Sequence, residues 1–207
     1  MTATPSRHPA KRSEARERLL ASASQLFYAE GITSVGVDRI VSEGHVTLAT
    51  FYRHFPSKED LVISYLDGVH DLIAKQLASS TSEVRGQDLV RAVCDQVISE
   101  LGRTGFRGCA FINAASEFED PESPVRLVIA RHREWYYESV RRSFAEAGHQ
   151  TPGNAARHFV MLRDGAMTAG SLDSPISAKR TFKRGVEGLI RSIETGPLTD
   201  DADSDAA

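Results

Sequence analysis

The stretch TLATFYRHFPSKEDL, residues 47–61, packs Phe51, Tyr52 and Phe55 around Arg53 and His54 and then stops at Pro56-Ser57. At about 100° per residue on a helical wheel, Leu48, Phe51, Tyr52 and Phe55 fall on one side, with Ala49, Thr50, Arg53 and His54 opposite. The segment predicts a short helix over 48–54 with an aromatic core face and a small, partly basic polar face. Thr47 can cap it, and Ser57 can cap the helix that follows, where Asp60 completes an acidic first turn. Upstream, a helix over 37–43 ends at Gly44-His45-Val46, so the pair reads as a helix-turn-helix whose second helix could enter a major groove. By pattern alone, an ordinary αα-hairpin of a bundle remains open.

Outward from this pair the apolar residues recur at helical spacing, and strand signals are almost absent. A first helix over 13–30 carries Leu19, Ala23 and Leu26 on one stripe and stops at Gly31. The fourth runs to about residue 79 on Leu61, Tyr65, Leu66, Val69, Leu72 and Ile73. Further helices follow over 87–102, 109–118, 124–148, 154–171 and 178–194. Pro124 suits a first turn, and Phe182, Val186, Leu189 and Ile193 form a heptad-like seam. The fold class is all-α, with about nine helices.

At 207 residues, with 41% hydrophobic and 26% charged content, the chain has an ordinary globular composition. No run reaches the roughly 18 apolar residues of a membrane span, and the basic start lacks the apolar core of a secretory leader. Cys94 and Cys109 are too few for a disulfide framework and suggest reduced, buried thiols in a cytoplasmic protein. The net charge of −3 gives no global argument for nucleic acid. Its distribution is more informative: Arg7, Lys11, Arg12, Arg16 and Arg18 crowd the start, whereas the end, TDDADSDAA, has four Asp and no base. The expected organisation is a flexible basic arm (1–12), a helix-turn-helix domain (13–73, motif 36–55), a second helical domain (74–196) and a disordered acidic tail (197–207).

Residues 34–61, SVGVDRIVSEGHVTLATFYRHFPSKEDL, resemble the DNA-binding module of the tetracycline-repressor (TetR) family. The likeness includes the helix ending at Glu30-Gly31, the Val37–Ile40 spacing, Thr50-Phe51-Tyr52, His54-Phe55 and Ser57-Lys58-Glu59, and covers about 13–73. Residues 106–126, FRGCAFINAASEFEDPESPVR, resemble a stretch found in one broad branch of that family. The resemblance implies base-edge or adjacent backbone contacts from Thr47, Leu48, Ala49, Thr50 and Arg53. It implies phosphate contacts from Tyr52, His54 and Lys58. The wheel points Leu48 inward, whereas the resemblance points it at bases, where it could meet a thymine methyl. A histidine can be neutral or charged, so with His54 at this face operator affinity is expected to rise modestly as pH falls. The family often has Gly where this chain has His45, at a turn position that tends to need φ > 0.

The resemblance further implies a homodimeric regulator of double-stranded operator DNA, a repressor released by a small hydrophobic or aromatic effector. Gly165, Ala166, Ala169 and Gly170 would permit close helix approach, and Phe182, Val186, Leu189 and Ile193 would complete a four-helix interface, unless these faces pack within one subunit. A cavity could be lined by Phe111, Asn113 and Phe118, by Trp135 and Tyr136, and by His158, Met161, Leu162 and Met167. No cofactor or metal is expected. A helical enzyme has no motif to support it: phosphate loop, paired-His spacing and nucleophile elbow are all missing, and the acidic group Glu117, Glu119, Asp120 and Glu122 reads as an exposed connection. A dimeric adaptor without DNA binding would leave the polar face of 48–54 unexplained.

Overall fold

The computed structural model describes the backbone of residues 9–195 and the side chains of 14–193. Nine helices and no strand occur among the described residues: α1 (Pro9–Glu30), α2 (Val37–Glu43), α3 (Leu48–His54), α4 (Lys58–Thr81), α5 (Gln87–Leu101), α6 (Ala110–Glu117), α7 (Pro124–Glu146), α8 (Pro152–Leu172) and α9 (Pro175–Thr195). The all-α expectation holds. Four of these helices, α1, α7, α8 and α9, begin on a proline, and α1 starts at Pro9 rather than at residue 13. Residues 1–8 of the basic arm and the whole acidic tail lie outside the described residues.

The chain forms two compact units. The first comprises Met1–Leu72 and Ala110–Arg131, the second Ile73–Cys109 and His132–Ala207. Each is therefore assembled from two separate stretches of sequence, and α4 and α7 contribute to both. In the first unit α1, α2 and α3 pack on one another. Leu19, Ile40, Phe51, Leu61 and Leu66 are completely buried there, and Phe27 meets Tyr65 edge-on at 5.7 Å between ring centroids.

In the second unit α8 and α9 form the most extensive helix pair, with α5 laid against both. An aromatic chain runs through it, with Phe144 to Phe159 at 6.2 Å and Phe159 to Phe182 at 5.4 Å, both T-shaped. Two glycines set the spacing. A Cβ on Gly170 would come within 2.7 Å of Leu101, and one on Gly185 within 2.8 Å of Leu162.

This packing corrects part of the expected subunit interface. Phe182, Val186, Ala166 and Gly170 are buried within the single chain and present no surface to a second copy. The α9 seam faces inward because Ala178, Phe182, Val186 and Ile190, four residues apart, complete the core against α5 and α8.

Candidate nucleic-acid interface

The turn between α2 and α3 is a Schellman motif. The Val46 amide donates to the Val41 carbonyl at 3.0 Å and the His45 amide to the Ser42 carbonyl at 3.2 Å. That motif requires a left-handed residue just after the cap, and His45 supplies it with φ +49°, the one non-glycine positive φ among the described residues. Gly44 keeps a right-handed φ of −76° and serves a different need. It is buried, and an added Cβ would sit 3.2 Å from the Ile40 carbonyl and 3.7 Å from Leu19 of α1. The bend thus lies at His45, and the close approach to α1 lies at Gly44.

Thr47 caps α3, its hydroxyl accepting from the Thr50 amide at 3.2 Å, with the two threonine hydroxyls 3.0 Å apart. Below, Phe51 and Phe55 are buried, and the guanidinium of Arg16 lies 5.1 Å from the Phe55 ring centre. Leu48 is 44% and Tyr52 53% exposed, and Ala49 and Arg53 are exposed beside them. The inward wheel position for Leu48 and Tyr52 is therefore corrected. The buried arc of α3 is only as wide as Phe51 and Phe55, and Leu48 projects from the first turn, beyond what α1 and α2 cover. Tyr52 leans its ring edge-on against Phe51 at 5.1 Å and remains open on its other side. Leu48, Ala49, Tyr52 and Arg53 share one exposed face, with Thr50 and His54 half-buried at its margins.

Ser57 caps α4 by accepting from the Asp60 amide at 3.1 Å while its hydroxyl donates to the Asp60 carboxylate at 2.7 Å. Lys58, just beyond, turns back toward the α1–α2 turn, its Nζ 3.5 Å from the Thr33 carbonyl. Burial lowers its pKa, an effect opposed by the Glu117 carboxylate.

Glu117 has a role that its sequence neighbourhood does not signal. Its carboxylate accepts from the Ile32 amide at 2.9 Å, the Thr33 amide at 2.6 Å and the Thr33 hydroxyl at 2.7 Å. The exposed-connection reading of this residue is corrected: it fills a nest of amides in the turn after Gly31, whose φ is +92°. Burial disfavours its charge, but the three hydrogen bonds and Lys58 prevail, and its pKa lies below the ordinary carboxylate value. The signal was missing because the partners are 84 and 85 residues apart in sequence. No group of three or more possible metal ligands occurs among the described residues.

The residues expected around a cavity are divided between the two units. Phe111, Asn113 and Phe118 belong to the first unit and the other six to the second. Within the second, His158 and Met161 lie on the exposed face of α8, and Leu162 packs on Gly185. Tyr136 and Met167 are core residues. The Arg163 guanidinium lies 4.9 Å from the Tyr136 ring centre, and burial pushes that phenol up to about 12. Arg163 also donates to Cys109 Sγ at 3.3 Å and to Asp164 at 2.8 Å. Both cysteines are buried and unbridged, and burial pushes the Cys94 thiol up to about 12.

Trp135 alone of the nine lines a groove in the second unit, of about 610 Å³. Ala74, Leu77 and Ala78 of α4 and Leu89 of α5 make its apolar wall, and Ser139, Arg142, Ser143 and Glu146 extend along α7 from Trp135.

Comparison with known proteins agrees with this architecture. Residues 19–65 match the pattern described as "Bacterial regulatory proteins, tetR family". The solved structure of SCO4454, a TetR-family transcriptional regulator from Streptomyces coelicolor, is 46% identical. That match has a TM-score of 0.85 and covers 87% of this chain and 96% of the other. The HTH-type transcriptional regulator YjdC of Escherichia coli K12 is 21% identical over 85% of this chain and 93% of its own length. The HTH-type transcriptional repressor NemR, from the same strain, is 26% identical over 55% of this chain and 58% of its own length. These relatives are regulators rather than enzymes. On the near-complete match to a regulator 46% identical to it, the chain belongs to the TetR family of transcriptional regulators.

Proposed function

We propose that the protein acts in the cytoplasm as a homodimeric, sequence-specific repressor whose α3 lies in the major groove of operator DNA. A small-molecule effector then releases it. The observation that carries this reading is the exposed face of Leu48, Ala49, Tyr52 and Arg53, backed by buried Phe51 and Phe55. An ordinary bundle hairpin has no need to expose a leucine and a tyrosine on a seven-residue helix. In this reading Leu48 and Ala49 meet thymine methyls or sugar edges, and Arg53 donates to a base. Tyr52 positions a phosphate, with His54 and Lys58 at the margin, and Thr47 and Thr50 set the helix start.

The second copy is proposed to meet α8 and α9 on their open side. His158, Met161, Gly165, Thr168 and Leu172 recur at alternating steps of three and four along α8. Met161 and Leu172 are 71% and 77% exposed, and Ile176 at the start of α9 is 71% exposed. Gly165 has nothing within 4 Å of where a Cβ would stand, which leaves room for a partner helix. Ala169, Leu189 and Ile193, only half-buried in one chain, would border this surface.

The test is a gel shift against the DNA flanking the protein's own gene, repeated with Arg53→Ala and Lys58→Ala. Loss of the Arg53 side chain should reduce specific affinity by roughly 1–3 kcal/mol and relax one base position. Loss of Lys58 should weaken all sequences alike. Equal, sequence-independent losses in both would remove Arg53 from base readout, and failure of the parent protein to bind any such DNA would reject the regulator mechanism.

A further inference from the structure

We propose that the groove along α4, α5 and α7 takes an apolar or aromatic carboxylate, with Arg142 as its anion partner. The proposal rests on reading the protein as an effector-responsive repressor, and it names the chemical class of that effector. At about 610 Å³ the groove is of a size that suits a small organic molecule. Its wall of Leu77, Ala78 and Leu89, with the chain's single tryptophan, Trp135, offers contact area and no donor besides the indole N–H.

The polar groups select the ligand's other end. The hydroxyls of Thr81, Ser139 and Ser143 donate to carbonyls of their own helices, those of Leu77, Trp135 and Ser139, at 2.8, 2.8 and 3.2 Å. They retain lone pairs but no free proton, so they cannot hold an anion. The groove's one carboxylate, Glu146, faces Arg85 at 3.9 Å. Arg141, on the neighbouring helical position, is paired with Glu138 at 2.8–3.0 Å and does not line the groove. Arg142 differs: it donates to the neutral Ser139 hydroxyl at 3.3 Å, and Glu138 acts on it through space without an ion-pair contact among the described residues. With Arg85 and Arg142 against Glu146, the lining has a net positive charge, and Arg142 presents its exposed charge on a planar donor matched to a carboxylate. That charge stands one helical turn from the hydroxyl and two from Trp135, so an apolar body on the indole places its carboxylate within the guanidinium's reach.

The probes are 4-phenylbutyrate and decanoate, each paired with its neutral amide, titrated into the full chain by calorimetry and by Trp135 emission. Both acids should bind about tenfold or more tightly than their amides. Arg142→Gln should abolish that preference while leaving weak amide binding and the helical circular dichroism unchanged. Arg142→Lys should restore part of it, and Arg141→Gln should not change it. Equal binding of acid and amide, no binding of either acid, or an acid preference that survives Arg142→Gln would each overturn the assignment. A gel shift with saturating acid then separates the two readings. Release of operator DNA supports the effector role, whereas tight acid binding without release overturns that role and leaves the carboxylate site standing.

Discussion

At His45 the backbone holds φ +49°, where most side chains are strained and a β-branched one most of all. His45→Gly should keep DNA binding and change stability by under about 1 kcal/mol, since relief of strain is offset by a more flexible unfolded chain. His45→Val should be clearly less stable in a urea melt, and tolerance of valine would refute the left-handed turn. Glu117 offers a second test at this scale. Its pKa is depressed in the folded state, so its contribution is present above the ordinary carboxylate range and is lost as pH falls through the lower folded value. Glu117→Gln should cost about 1–2 kcal/mol near neutrality, from removing the charge on its hydrogen bonds. It should also flatten the stability loss of the parent protein below about pH 4, which an acid titration followed by circular dichroism would show. An acid limb of unchanged steepness in the variant would mean that other carboxylates dominate it. The His45 turn could be expected from the family resemblance, which often has glycine at that position, and local backbone chemistry explains it. The role of Glu117 could not be expected, because its partners are distant in the chain.

For the helices, periodicity told which residues share a face but not always what that face meets. In α3 the aromatic arc was read too wide: Phe51 and Phe55 are buried, but Leu48 and Tyr52 are half open. A seven-residue helix has too few turns for the wheel to distinguish core from margin. In α9 the seam of Phe182 and Val186 is real, yet it closes on α5 and α8 instead of a second copy. On α8 the expected interface patch was Gly165, Ala166, Ala169 and Gly170, and only the packing shows an open stripe through His158, Met161, Gly165, Thr168 and Leu172. Met161→Glu tests the proposed use of that stripe. Its site is open in one chain, so the fold should persist, while two charges brought into a two-fold interface should shift the dimer toward monomer. Sedimentation should show this, with operator affinity falling in parallel because paired half-sites about 34 Å apart need both copies. A variant that sediments as the parent dimer would place the interface elsewhere.

On the scale of the whole molecule, the helical class and about nine helices could be read from spacing and caps. The reading of α2 and α3 as a recognition pair rested on the family resemblance, since pattern alone left an ordinary hairpin open. The division into units could not be read. The sequence suggests a break near residue 73, but residues 110–131 belong with the N-terminal unit. That follows from contacts such as Glu117 with Ile32 and Thr33 and Arg131 with Asp67 at 2.6 Å, which no local pattern announces. This arrangement also has a consequence in time. During synthesis the turn at Ile32 is made 85 residues ahead of Glu117, and at about 5–20 residues per second it waits several seconds for its carboxylate. A chain stalled with α4 outside the ribosome and α6 still inside it should therefore carry a recognition pair that is formed but not clamped, with faster amide exchange at Ile32 and Thr33 than in the finished protein. Release of the nascent chain beyond residue 131 is when those two amides should become slow.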